Sequence, residues 1–185
     1  MSKLLNVSSS PHVRCGVSTK NLMYDVAIAM LPATIWGVMQ FGIYSLIVVV
    51  ATVLSCVLSE YLFETLMHKP VTISDGSALV TGMILGLNMP PAIPLWMPIL
   101  GGVFAIIVVK QLYGGLGQNW MNPALAARCF MLISFAQAMT KFTDPVTDAV
   151  ASATPLAAIK AGDTYDLAAM FIGKIPGTIG EVSVI

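Results

Sequence analysis

Charge is the scarcest thing in this chain: Asp, Glu, Lys and Arg together make up 10% of its 185 residues. Soluble domains run at about 25%. A surface of ordinary solubility therefore cannot be built from it. The charge that exists has no sign, since nine basic residues stand against nine acidic ones. With no basic footprint, a nucleic-acid partner is excluded. Cysteine is also sparse. Cys15, Cys56 and Cys129 are far apart, and without a C-x-x-C pair they supply neither a zinc site nor a cysteine-ligated iron–sulfur cluster. The composition is instead 57% hydrophobic, with a mean hydropathy of +0.85. That excludes intrinsic disorder and leaves an all-α, polytopic transmembrane helix bundle as the fold class.

Apolar runs and their breaks divide the chain into an N-terminal polar segment, 1–21, and a membrane domain of about five segments, 22–139. The first crossing starts near Met23 and contains Pro32, which a membrane helix tolerates when neighbours re-satisfy the freed carbonyl. Gly42 punctuates, and Ile43 to Leu66 forms the strongest span before His68-Lys69-Pro70 stops it. Then comes a short apolar piece, 78–89, opened by Ser74-Asp75-Gly76-Ser77 and closed by Pro90-Pro91. A full span resumes over 94–110. After it the glycine- and amide-rich break 113–123 leads into a second short apolar piece, 124–138. Pieces of this length cannot comfortably cross about 30 Å of hydrocarbon, so they predict broken or re-entrant helices, with plain short tilted helices as the alternative.

Residues 140–176 form the one long polar connection after the N-terminus, and 177–185 read as the start of a further membrane segment. Lys69 and Lys110 mark inward-facing turns, whereas the turns at Gly42 and at 90–94 hold no Lys or Arg. The positive-inside rule then puts the N-terminus in the cytoplasm and the 140–176 loop outside.

Several polar residues fall at membrane depth, where acids are functional candidates by default. Glu60 and Glu64 share a helix face at i and i+4, although His68 and Lys69 nearby allow a plain headgroup-level position. Asp75 at the mouth of the short helix reads first as its N-cap. Asp75 and Glu60, with Asn119 and Asn122 of the amide-rich break, are the expected ion-path residues. Arg128, inside the fifth segment, needs an anionic partner: a phosphate, a flavin oxygen or a buried carboxylate. In the 140–176 loop, Thr154 followed by Pro155 and L-A-A-I-K has the form of a helix N-terminus.

That loop also contains Asp148-Ala-Val-Ala-Ser152-Ala153-Thr154-Pro155-Leu156, which resembles the D-x-x-[ST]-G-A-T flavinylation motif. In that motif the final Thr carries flavin mononucleotide (FMN) through a phosphoester. Three further blocks match in order: S-D-G-S-A-L-V-T-G at 74–82, G-G-L-G-Q-N-W-M-N-P-A at 114–124 and G-T-I-G-E-V-S at 177–183. Taken together, the chain resembles the RnfD family of Rnf complexes and, more distantly, the NqrB component of the sodium-translocating NADH:quinone oxidoreductase.

The resemblance implies a phosphoester-modified flavoprotein of the cell's inner (plasma) membrane. Covalent FMN is expected at Thr154, with Ser152, Ala153, Asp148 and Arg128 about it, and a second, non-covalent riboflavin elsewhere. Implied partners within the Rnf complex are the flavin-bearing RnfG, the membrane proteins RnfA and RnfE and the peripheral proteins RnfB and RnfC, with membrane lipid and a flavin transferase for maturation. The implied role is electron transport from ferredoxin to NAD coupled to Na+ or H+ export, within a translocase rather than as an enzyme alone. A flavin-free channel or secondary transporter is the rival reading. Ala151 and Ser152 depart from the motif's usual Ser/Thr and Gly. Family members continue through further helices, so the resemblance reads this chain as about the N-terminal half of such a protein.

Overall fold

The structure, a computed structural model, describes residues 16–143, 150–151, 159–160, 171–173 and 175–181. It is an all-helical bundle. Helix α1 (Thr19–Phe41) is capped by Ser18, whose hydroxyl accepts from the Asn21 amide at 3.3 Å, and it carries Pro32 inside. One residue, Gly42, then turns the chain into α2 (Ile43–Leu66). Its φ of +81° is open to glycine and strained for other residues, so a single-residue corner needs it.

Helix α3 (Ser77–Leu87) follows a 3-10 turn at Ile73–Asp75. At 1.5 Å per residue it is about 16 Å long, half the thickness of the hydrocarbon core. Helix α4 (Trp96–Tyr113) is long enough to cross, as are α1 and α2. Helices α5 (Pro123–Ser134) and α6 (Ala136–Met139) follow. Phe142–Thr143 pairs antiparallel with Val150–Ala151 in a two-residue ladder beyond the bundle.

Helix α2 is the hub. Val48, Val49, Thr52, Ser55, Cys56, Ser59 and Glu60 are all buried, and their three-and-four spacing makes one continuous face. Its opposite face, with Leu54, Leu58 and Leu62, is exposed, which suits lipid as the surrounding solvent. Without a hydrophobic drive between helices in lipid, close backbone approach and packing must hold them. Glycines make the approach possible. A Cβ on Gly82 of α3 would lie 2.6 Å from the Val53 Cα, and one on Gly86 3.0 Å from the Val49 Cα. On the other flank Gly102 of α4 meets Ser55, whose hydroxyl donates to the Ile99 carbonyl at 2.7 Å.

Two features have no counterpart in the apolar pattern. Residues Phe104–Lys110 of α4 form a π-helix, a wider turn with i→i+5 bonding that is rare and often sits at functional positions. Residues 175–181 return as bends against the end of α3. The Ile179 amide donates to the Met89 carbonyl at 3.1 Å and the Gly180 amide to the Leu87 carbonyl at 2.8 Å. These bonds satisfy carbonyls that a helix end at membrane depth would otherwise leave bare.

Candidate functional site

The N-terminal mouth of α3 gathers polar side chains from three helices. From α2 come Glu60 and Glu64, one turn apart and both buried within the protein. From the end of the π-turn in α4 come Lys110 and Gln111, also buried. Lys110 Nζ donates to Glu60 Oε1 at 2.6 Å and to Ser77 Oγ at 2.6 Å. Gln111 Nε2 donates to Glu60 Oε1 at 2.9 Å and Glu64 Oε1 at 3.2 Å. Neighbouring residues on an α-helix point about 100° apart and do not share a partner. The wider π-turn lets Lys110 and Gln111 both address one carboxylate oxygen.

The cluster continues toward the rim. Glu64 accepts from the Thr72 amide at 2.9 Å and from the Thr72 hydroxyl. Asp75 Oδ1 accepts from the Ser77 amide at 2.8 Å and from the Ser77 hydroxyl at 2.6 Å. Asp75 thus serves the first turn of α3 from one residue before the cap position, which Gly76 holds. The Lys110 ammonium thus pairs directly with Glu60, while Glu64 and Asp75 join the cluster through Gln111 and Ser77. Glu60 Oε2 is buried and has no hydrogen-bond partner among the described residues. An unsatisfied carboxylate oxygen is costly in a dry interior, and it is an open ligand position for a proton or a cation. No three His, Cys, Asp or Glu side chains converge as a metal centre among the described residues.

Of the expected ion-path residues, Glu60 and Asp75 belong to this cluster, linked through Lys110 and Ser77. Asn119 and Asn122 make local bonds. Asn119 Nδ2 donates to the Met121 carbonyl at 2.9 Å. Asn122 caps α5, its Oδ1 accepting from the Ala124 and Leu125 amides, with Pro123 in the first turn. Lys110, Gln111, Thr72 and Ser77 are site residues that sequence reasoning misses. The one signal is a lone lysine ending the apolar run F-A-I-I-V-V-K.

Arg128 finds a carboxylate. Its Nη1 donates to Asn88 Oδ1 at 2.5 Å and Glu181 Oε1 at 3.1 Å, and its Nη2 to Glu181 Oε2 at 3.5 Å. Thr178 Oγ1 donates to the same Glu181 at 3.0 Å. This second polar group therefore clamps the returning strap to the C-terminal end of α3. Asp148, Ser152, Ala153 and Thr154 lie outside the described residues.

Between α4 and α5 lies a half-open cavity of about 480 Å³, lined almost wholly by apolar surface from Phe104, Val108, Tyr113, Trp120, Leu125 and Cys129. Behind it the rings of Phe104 and Phe130 stack at 4.3 Å.

Comparison with known proteins gives these features a setting. The profile of the NQR2, RnfD, RnfE family matches residues 6–185. The chain is 46% identical over 185 residues to the D subunit of the Na(+)-translocating ferredoxin:NAD(+) oxidoreductase complex of Acetobacterium woodii, covering 97% of this chain and 58% of the relative. It is 40% identical over 196 residues to the D subunit of the proton-translocating ferredoxin:NAD(+) oxidoreductase complex of Clostridium ljungdahlii, covering 98% and 59%. The D subunit of the ion-translocating oxidoreductase complex of Shewanella denitrificans is 40% identical over 157 residues, 84% of this chain and 45% of that protein. The chain thus spans a little over half the length of the first two relatives. A membrane helix bundle matched along nearly its whole length in this way is a member of the NQR2, RnfD, RnfE family.

Proposed function

We propose that the chain is the membrane-embedded, electron-carrying part of an Rnf-type complex, one that moves electrons between ferredoxin and NAD and couples them to export of Na+ or H+. The observation that carries this reading is the family match over residues 6–185, together with relatives named as the D subunits of such complexes. Its partners on this reading are the flavin-bearing RnfG, the membrane proteins RnfA and RnfE and the peripheral proteins RnfB and RnfC. The bundle lies in the plasma (inner) membrane, with the N-terminus cytoplasmic and the Thr154 loop outside, as the Lys and Arg count favours.

Thr154 is the proposed attachment point for FMN, supported by the D-A-V-A-S-A-T sequence at 148–154. Its hydroxyl holds the phosphate, and a helix beginning at Pro155 would turn amide donors and a positive dipole end toward that phosphate. Bound FMN supplies the redox-active ring, whose orientation and potential the surrounding protein groups set. For the second, non-covalent flavin the cavity between α4 and α5 is the proposed place. Its volume falls within the usual range for small-molecule sites, and Tyr113 and Trp120 offer flat aromatic surface. Ion movement is assigned to the Glu60 cluster, where Oε2, without a hydrogen-bond partner among the described residues, offers a ligand position.

The test is flavin fluorescence of the denatured protein in a gel, using full-length material made with the flavin transferase present. The wild-type band should fluoresce and the Thr154→Val band should be dark. A dark wild-type band would favour the flavin-free transporter, and fluorescence surviving in Thr154→Val would remove the site assignment.

A further inference from the structure

Lys110 is an unusual side chain to bury. Its ammonium is 2% exposed and faces Glu60 at 0%, in a part of the bundle where α2, α3 and α4 otherwise meet through glycine and small residues. Such a buried pair is weak as a stabiliser, because desolvation offsets the attraction and an apolar pair of similar volume does as well or better. Stability therefore does not account for it. The geometry suggests a different use.

Three facts define the position. The ammonium lies 2.6 Å from a carboxylate oxygen and 2.6 Å from a hydroxyl oxygen. Carboxylate and hydroxyl oxygens are the hard donors that alkali and alkaline-earth cations take. The second oxygen of the same carboxylate, Glu60 Oε2, is buried without a partner among the described residues. Glu64 and Asp75 add formal negative charge around one positive group, linked to it through Gln111 and Ser77. The constellation thus has the donor set and the charge for a monovalent cation, and the chain's own ammonium stands in that place.

We propose that Lys110 is a tethered surrogate for the transported ion, and that the ion is a small monovalent metal cation, Na+. Its ammonium fills the Glu60–Ser77 position while no cation is bound and withdraws when one arrives. This rests on the reading of Glu60 as part of the ion path. The exchange keeps the buried carboxylate compensated throughout, avoiding the large penalty of a bare charge in a dry interior. The π-turn ending at Lys110 provides the way out: relaxing one residue of it to α geometry turns Lys110 by about 100°, carrying Gln111–Tyr113 with it and leaving the part of α4 before Phe104 in place.

The experiment uses the whole complex in inverted membrane vesicles and measures the Na+ concentration that half-saturates ferredoxin-driven electron transfer and ²²Na+ uptake. Removing a competitor strengthens apparent binding, whereas a merely structural lesion weakens it or lowers the maximal rate. Lys110→Met should lower the half-saturating concentration about tenfold, the usual scale of a coupling between two ligands. Lys110→Gln, a shorter neutral side chain that leaves both oxygen donors of the position in place, should lower it to a lesser extent and carries the test if Lys110→Met does not assemble. Glu60→Gln should raise it or abolish the dependence. If Glu60→Gln leaves Na+ dependence untouched, or the wild type shows none, the ion-path reading falls and this proposal with it. If Glu60→Gln acts but Lys110→Met and Lys110→Gln leave the value unchanged or higher, only the surrogate role falls.

Discussion

At the N-terminal end of α3 an ammonium, a carboxylate and a side-chain amide meet away from any solvent. At its C-terminal end a guanidinium, a carboxylate and a side-chain amide meet with one side open. Lys110 and Glu60 are 2% and 0% exposed, whereas Arg128 and Glu181 are 27% and 55% exposed. The open group is balanced, one cation to one carboxylate, and it pins the 175–181 strap against Asn88. The buried group has an excess of carboxyl groups and one oxygen with no partner among the described residues. The same three chemical parts thus make a fastener where water or headgroups can share the charge, and a strained polar centre where they cannot. Helix α3 is short enough to have one of each.

The comparison breaks most visibly if one half of the buried pair is removed. Glu60→Ala leaves the buried Lys110 ammonium without its carboxylate, with the Ser77 hydroxyl as its remaining acceptor among the described residues, and should cost about 3–5 kcal/mol. Replacing both, Glu60→Leu with Lys110→Met, should recover most of that loss while abolishing ion dependence. Thermal melting of the detergent-extracted complex reads the first effect, and vesicle transport reads the second. A double variant as unstable as the single one would mean that the pair, not its desolvation, holds the three helices together.

The seating of α3 beside the buried end gives the next effect in size. Gly82→Ala puts a methyl 2.6 Å from the Val53 Cα, and backbone cannot step aside as a side chain can. A loss of about 1–3 kcal/mol is expected. Gly101→Ala is the control, because its methyl would meet only the Leu85 and Met131 side chains at 3.5 Å. There the intrinsic helix preference for alanine, up to about 1 kcal/mol, should show as a gain. Melting of the two variants side by side separates close approach from helix propensity.

How much of this could be read from residues alone depended on range. Helix α2 was legible because its apolar run is unbroken between Gly42 and the His68-Lys69-Pro70 stop, and α3 because polar turns and Pro90-Pro91 bound it. The Glu60–Glu64 face followed from their spacing, yet whether it met headgroups or protein did not, since that depends on a partner 50 residues away. Lys110 could serve as a topology marker or as a counter-ion, and no local pattern distinguishes the two. The π-turn left no mark in F-A-I-I-V-V-K, because tertiary partners rather than propensity select it. Asn119 and Asn122 show the same limit from the other side: amides next to a proline are as apt for capping a helix as for lining a path, and the sequence does not distinguish the two, whereas the structure shows the turn bond and the cap.

The smallest effect belongs to the open end, and it sharpens the contrast through salt. Glu181→Gln removes a charge but leaves Asn88 to accept from Arg128. The strap's backbone bonds from Ile179 and Gly180 to the end of α3 are independent of that side chain. The change should therefore cost no more than about 1 kcal/mol, the usual ceiling for an exposed pair. Its remaining share should vanish in 1 M KCl, where the screening length falls to about 3 Å, comparable to the pair's own separation. The Glu60→Ala deficit should persist under the same conditions, because ions in solution do not reach a side chain with no exposed surface. If melting differences at both ends were to decline together with salt, the Glu60 cluster would have to be wet, and the division of α3 into a fastened end and a working end would not stand.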